Sequence, residues 1–296
     1  MPVHTVAFIA MGSRCEIRIA AANAAEGQHI AARAIAEVHR IERKYSRYQS
    51  DSVLSRINAA AGLHAVACDE ETVALLTYAD MLYTASDGRF DITSGVLRQA
   101  WNFRHNAIPH AADLEKLLPL IGWKKVVRDK AGVFLPTLGM ELDFGGFGKE
   151  YAVDRAAEIL THLGVQHGYV NLGGDMRFMG PRPDGSSWHI GIQDPRASDA
   201  TVASIPVNRG ALATSGDYER FMEVDGRRYC HVLNPHNGMP VSYWRSVSVL
   251  APLAITAGSC TTTTMLLEKD GLGFLERSGM SYLAINDEGQ IFRRTQ

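Results

Sequence analysis

The 296-residue chain has only four cysteines, Cys15, Cys68, Cys230 and Cys260, and no two form a C-x-x-C pair. This spacing argues against a zinc site and a disulfide framework, so four reduced thiols, most of them buried, are expected. A charge excess is missing as well. The formal net charge is −2, without the basic footprint that nucleic-acid binding requires. No apolar run reaches the roughly 18 residues that mark a candidate membrane span. The opening stretch, MPVHTVAFIAMGSRCEIRI, lacks the basic n-region and long apolar h-region of an export signal. Taken as a whole protein, the chain is expected to stay in the cytoplasm. Internal repeats, low-complexity tracts and linkers are also absent, which favours one domain over residues 1–296.

Hydrophobic residues make up 46% of the chain, enough for a proper core. Residues 3–20 read as two strands around a bend at Met11-Gly12-Ser13. From Gln28 to Tyr48, Ile30, Ala34, Val38, Ile41 and Tyr45 recur at helical spacing. Asp69 is a plausible N-cap for a second helix, which Ser86-Asp87-Gly88 ends. A strand closing near Asp143 precedes a helix from about Lys149. That helix carries Ala152, Ala156, Ile159 and Leu163 on one face, and Gly164 stops it. GYVNLGG, WHIGIQDP and VSVLAP read as strands. FMEVDGRRYCHVL is a hairpin turning at Asp225-Gly226. A helix from around Gly258 and a closing hairpin, MSYLAINDEGQIFRR, complete the pattern. Mixed elements with prominent hairpins predict an α+β fold with largely antiparallel sheets, not a doubly wound parallel one.

Residues 141–154, ELDFGGFGKEYAVD, bring three glycines, a lysine and acidic residues to a strand-to-helix junction. Neither common phosphate fingerprint fits. Asp143 stands where a Walker A loop needs its first glycine, and Glu150 where it needs Ser or Thr. Tyr151 stands at the third glycine of G-x-G-x-x-G. Free N–H groups at a helix start still attract an anion, and Lys149 adds charge there. A tight helix–strand crossing with a solvated lysine explains the same residues equally well.

Four further loops have similar chemistry: SDGRFDITSG with Asp91 at a loop-to-strand position, GYVNLGGD, TSGDYE and HVLNPHNGMP. Turn chemistry accounts for each alone, but together they suggest a ligand site built from several loops. His231 and His236 are not at H-x-x-x-H spacing. His105 and His110 flank a loop and read as solvated.

In this order the segments resemble the ApbE family, the FAD:protein FMN transferases. The matching pieces are MGSRCEIRI, RYQSDSVLSRIN, SDGRFDITSGVLRQAWNF, LDFGGFGKEYAVDRAA, GYVNLGGDMRFMG, IGIQDP, ALATSGDYER and RYCHVLNPHNGMPV. The resemblance implies an α+β fold of two intertwined lobes around FAD. It also implies a reaction that splits the FAD pyrophosphate with help from magnesium. FMN passes to a Thr or Ser hydroxyl of an acceptor flavoprotein, and AMP is released. Position by position, it implies flavin or nucleotide contacts at Met11, Tyr48, Arg89, Phe90, Asp91, Asp143, Lys149, Val232 and Leu233. It makes the Gly146 carbonyl and Thr262 metal ligands, and His231 the base or the group that orients the acceptor hydroxyl.

The chain departs from the family pattern in two places. Residues 257–263 read AGSCTTT where the family has A-D-A-x-[ST]-T-A, so Gly258 replaces a metal-binding aspartate. Glu150 replaces the glycine common after the lysine. The first change puts magnesium binding in question, with Asp175 or Asp217 as possible substitutes from other loops. It also raises two rival functions: an FAD-binding or flavin-carrier protein with little catalysis, and an FAD pyrophosphatase giving FMN and AMP.

Overall fold

Alternation of apolar residues along the chain builds one large sheet with two different faces. The computed structural model describes residues 1–103 and 107–295, so His105 lies outside the described residues. The N-terminal half contains β1 (Val3–Ala10), β2 (Ser13–Ala20), α1 (Ala24–Tyr45), α2 (Val53–Ala59) and α3 (Glu70–Ala85). A 3-10 helix (Ile92–Gln99), α4 (Ala111–Leu117), β3 (Val127–Asp129) and β4 (Gly132–Phe134) follow. Next come α5 (Gly148–His162), β5 (Gly168–Leu172), β6 (Asp175–Gly180), β7 (Trp188–Asp194), β8 (Ala197–Val207) and β9 (Gly210–Gly216). The chain ends with β10 (Phe221–Val224), β11 (Arg227–Cys230), β12 (Trp244–Ala251), α6 (Ala254–Leu267), α7 (Gly271–Ser278), β13 (Ser281–Asn286) and β14 (Ile291–Arg294).

Eight strands form the main sheet in the order β1-β2-β5-β6-β9-β12-β13-β14. Every neighbouring pair is antiparallel. This is the α+β, largely antiparallel fold that the sequence predicts. Successive side chains on a strand point to opposite faces. Ile17, Ile19, Val170, Leu172, Ala213 and Val249 therefore join the helices in the main core. Tyr169, Met176, Phe178 and Leu212 face the other way, onto Trp188, Ile192 and Val207 of the β7–β8 hairpin. Among the described residues, no helix is long and apolar enough to cross a membrane.

Several boundaries move from their expected places, each for a local reason. α1 begins at Ala24 instead of Gln28, because Asn23 accepts the Glu26 N–H at 3.0 Å and caps it. Asp91 opens the 3-10 helix rather than a strand, its carboxylate accepting from the Thr93 N–H at 2.8 Å. The buried stripe of α5 runs through Glu150, Val153, Ala157 and Leu160 as well as Ala152 and Ala156, while Leu163 is exposed. The hairpin at Asp225-Gly226 is as expected, with both residues at positive φ.

α6 starts at Ala254, one turn before the expected Gly258. Its own N-cap residue, Leu253, supplies no side-chain bond. Asp154 of α5 does so from 100 residues away, accepting the Ala254 and Ile255 N–H groups at 2.8 and 2.9 Å. Arg177 of β6 pairs with the same carboxylate at 3.1 Å. Burial still raises the Asp154 carboxyl above its ordinary range despite these donors, so desolvation offsets part of what the cap contributes. Asp154→Ala is expected to lower unfolding free energy by about 1–2 kcal/mol, the usual worth of a helix cap, as measured by urea denaturation.

Candidate functional site

Antiparallel pairing brings distant loops to one edge of the sheet. β1 ends and β2 begins at Met11-Gly12-Ser13. Because Cys15 pairs with Leu172, this turn lies beside the β5–β6 turn at Gly173-Gly174. β9 reaches the same edge at Ser215-Gly216, opposite the start of β12. A Cβ on Gly173 would lie 2.9 Å from Ser13 Cβ and 3.8 Å from Lys149 Nζ, which puts the start of α5 against both turns. Gly173 also has φ +60°, so glycine suits it on both counts.

The stretch from Asp143 to Lys149 enters this edge as a supported loop. Asp143 pairs with Arg47 and accepts the Gly145 N–H at 2.9 Å. Arg47 also donates to the Tyr48 hydroxyl at 2.9 Å. Gly146 packs on Phe90, and a Cβ there would come within 2.7 Å of that ring. Phe147, the N-cap residue of α5, offers no side-chain acceptor. The Gly148 N–H donates to the Phe144 carbonyl at 2.6 Å, which leaves the Lys149 and Glu150 N–H groups of this 15-residue helix as the ones to favour an anion.

Inside the edge, Lys149 Nζ lies 2.7 Å from Asp175 Oδ2. Burial alone would lower the lysine, but Asp175 and then Glu150 outweigh it and raise its pKa. Glu150 is buried, and its Oε2 has no hydrogen-bond partner. Burial first, and the Asp175 charge second, push the Glu150 carboxyl well above the usual carboxylate range.

His231 lies just after β11 and is exposed to solvent, with the backbone of Arg220 beside it. Its Nδ1 is 3.2 Å from the Arg220 carbonyl oxygen. A carbonyl can only accept, so Nδ1 carries the proton and Nε2 keeps a free lone pair. Dehydration first, then the Arg220 charge, push His231 down to about 4. Lys149 contributes in the same direction, which joins histidine and lysine in one electrostatic field. Glu219, raised by burial, also interacts with Lys149 and Asp175.

The far wall is α6. Gly258 and Thr262 lie one turn apart on it, and the Thr262 hydroxyl is 3.3 Å from Ser215 Oγ. The space in front of Gly258 holds Glu150. Among the described residues, no group of three or more His, Cys, Asp or Glu side chains forms a metal cage. The two substitutes considered from the sequence are otherwise engaged. Asp217 is clasped by both Arg196 nitrogens at 2.8 and 2.6 Å, and Asp175 by Lys149.

The other expected contacts vary in exposure. Met11 is half-buried at positive φ, with its N–H on Glu42, and Tyr48 is 82% exposed. Arg89 reaches the Leu266 carbonyl at 3.5 Å. Phe90 is buried, and Asp91 accepts from Thr93 and from the Trp123 N–H, so both carboxylate oxygens are used internally. The Val232 carbonyl accepts the Val241 N–H at 3.0 Å, and Leu233 packs with Leu97, Trp101 and Leu114. Sequence reasoning missed Arg47, Arg220 and Ser215, which show no local pattern. It also missed what Glu150 does, although a glutamate on an apolar helical stripe was a readable signal.

The ApbE family model matches residues 11–284. The chain belongs to the ApbE family. The apbe protein of Thermotoga maritima superposes with a TM-score of 0.90 at 32% identity, covering 99% of this chain and 97% of that one. The Pseudomonas stutzeri flavinyl transferase ApbE gives 0.85 at 30% identity, covering 99% and 95%. A curated relative from Klebsiella pneumoniae, named FAD:protein FMN transferase, is 30% identical over 266 residues, 88% of this chain and 81% of its own. The fold and loop order of this ApbE chain are thus those of its relatives. Its Gly258 packs directly against Glu150.

The position of His231 gives a direct test by histidine NMR. Its ring is expected to stay neutral from pH 8 to 5, with Nδ1 protonated, and to titrate near 4. Arg220→Ala should move that midpoint upward, because it removes a cation that opposes protonation. A midpoint near the ordinary histidine value in the native chain would contradict the surroundings described above.

Proposed function

We propose that this chain is an FAD:protein FMN transferase acting as one domain over residues 1–296. Strands from both ends of the chain share the main sheet, which supports the single unit. The observation that carries the function is the neutral His231, fixed by the Arg220 carbonyl with Nε2 free, on the same edge as Lys149 and the uncapped start of α5. A base and an anion cradle side by side suit transfer at a pyrophosphate.

In this reading Lys149 and the α5 N–H groups hold the FAD pyrophosphate. Met11, Tyr48, Arg89, Phe90, Asp91, Asp143, Val232 and Leu233 line or support the rest of the nucleotide. The acceptor's Thr or Ser oxygen attacks the FMN-side phosphorus, and His231 Nε2 takes the hydroxyl proton. The bond from that phosphorus to the bridging oxygen breaks, and AMP leaves with the electron pair. The donors present fit a hard cation: the Gly146 carbonyl, the Thr262 hydroxyl and the unpartnered Glu150 oxygen. Magnesium held by them would neutralise charge on the phosphates. The carrier alternative rested on a missing carboxylate, and Glu150 now stands in that space. Four unpaired cysteines suit a reducing compartment, and hence a cytoplasmic acceptor.

Native chain incubated with FAD, magnesium and an acceptor flavoprotein should yield AMP and protein-bound FMN in equal amounts. His231→Ala should slow transfer by about 10²–10⁴-fold while FAD binding persists. Tight FAD binding with no AMP at any magnesium concentration would overturn the transferase reading. Free FMN in place of bound FMN would show hydrolysis.

A further inference from the structure

We infer that Glu150 supplies the protein's carboxylate to a divalent-cation site on the α5–α6 contact, in the space left open by Gly258. The inference rests on the FAD reading above, because phosphate oxygens would complete the ligand set.

The first observation is the state of the carboxylate. Glu150 is 7% exposed, and its Oε2 has no hydrogen-bond donor. A buried carboxyl oxygen without a donor is costly, and a bound cation is one way to satisfy it. One cation, Lys149, is shared electrostatically between Glu150 and its carboxylate neighbours. Lys149 Nζ is taken by Asp175 at 2.7 Å, and Glu219 adds a third carboxylate nearby. Arg220, whose carbonyl accepts the His231 N–H at 3.0 Å, acts on that histidine, and no ion pair joins it to Glu150 among the described residues.

The second observation is independent and lies on α6. A Cβ at Gly258 would lie 2.5 Å from both Glu150 Cγ and Oε1, and 2.8 Å from Cδ. A side chain at 258 and the Glu150 carboxylate therefore exclude each other. Glycine inside a helix is unfavourable, and Gly258 sits in the second turn of α6 without a positive φ to call for glycine. Packing against Glu150 is the reason for it. One turn further along the same face, Thr262 offers a hydroxyl beside Ser215. Carboxylate, hydroxyl and carbonyl oxygens are the donors that magnesium and manganese prefer. The two departures from the family pattern, glutamate at 150 and glycine at 258, become one exchange across the contact.

The test uses Mn²⁺, followed by electron paramagnetic resonance on the full chain with and without FAD. Native chain should bind Mn²⁺ tightly only when FAD is present. Glu150→Gln, which keeps the shape and mimics a merely protonated carboxyl, should weaken that binding by about 10–100-fold. Its metal-free FAD binding, read by flavin fluorescence, should persist. Glu150→Gly should lose Mn²⁺ binding as well, and adding Gly258→Asp to it should restore it. Glu150→Gln that binds Mn²⁺ as tightly as native chain overturns the inference and leaves the transferase reading intact. So does native chain that binds FAD but never Mn²⁺. Native chain that binds no FAD overturns both readings.

Discussion

The crossing of α5 over α6 is the contact on which the rest of the site depends. Two carboxylates one turn apart on α5 meet two successive turns of α6. Asp154 binds the first N–H groups of α6 and so fixes where that helix begins. Glu150 meets Gly258 one turn later, where a side chain at 258 would collide with the glutamate as it is placed. The pair sets both the depth and the rotation of α6. These in turn place Thr262 against Ser215 of the sheet. A shift of either helix would strand a buried carboxylate, so the crossing has little freedom.

The sheet supplies the other constraint. Antiparallel order sends the β1–β2 turn, the β5–β6 turn and the end of β9 to the same edge, where the start of α5 meets them. Each loop brings little by itself. Together they surround Lys149 and His231 with protein on several sides and leave an opening to solvent. Neighbouring protein atoms and the Arg220 charge lower the pKa of the exposed histidine. Burial, and then the Asp175 charge, make the Glu150 carboxyl hard to ionise even with Lys149 nearby.

Much of the fold could be read from local pattern. The α1 stripe, the Asp69 cap of α3, the Asp225-Gly226 hairpin and the strands around Val170 and Val249 are all set by residues close in sequence. The start of α6 could not, because its cap comes from Asp154, which no local rule reaches. Asp91 was visible as a polar residue in an odd place. Its role as a cap depends on Thr93 and on Trp123, 32 residues away.

By itself the sequence determined the class of fold, the family and the loops that carry polar chemistry, since periodicity and short motifs are local properties. It also showed that Gly258 and Glu150 depart from the family pattern. Only the tertiary structure decided that these are two sides of one contact. Excluded volume decides this: one space beside α6 admits either a side chain at 258 or the carboxylate of Glu150, and residues 108 positions apart compete for it only after the chain has folded.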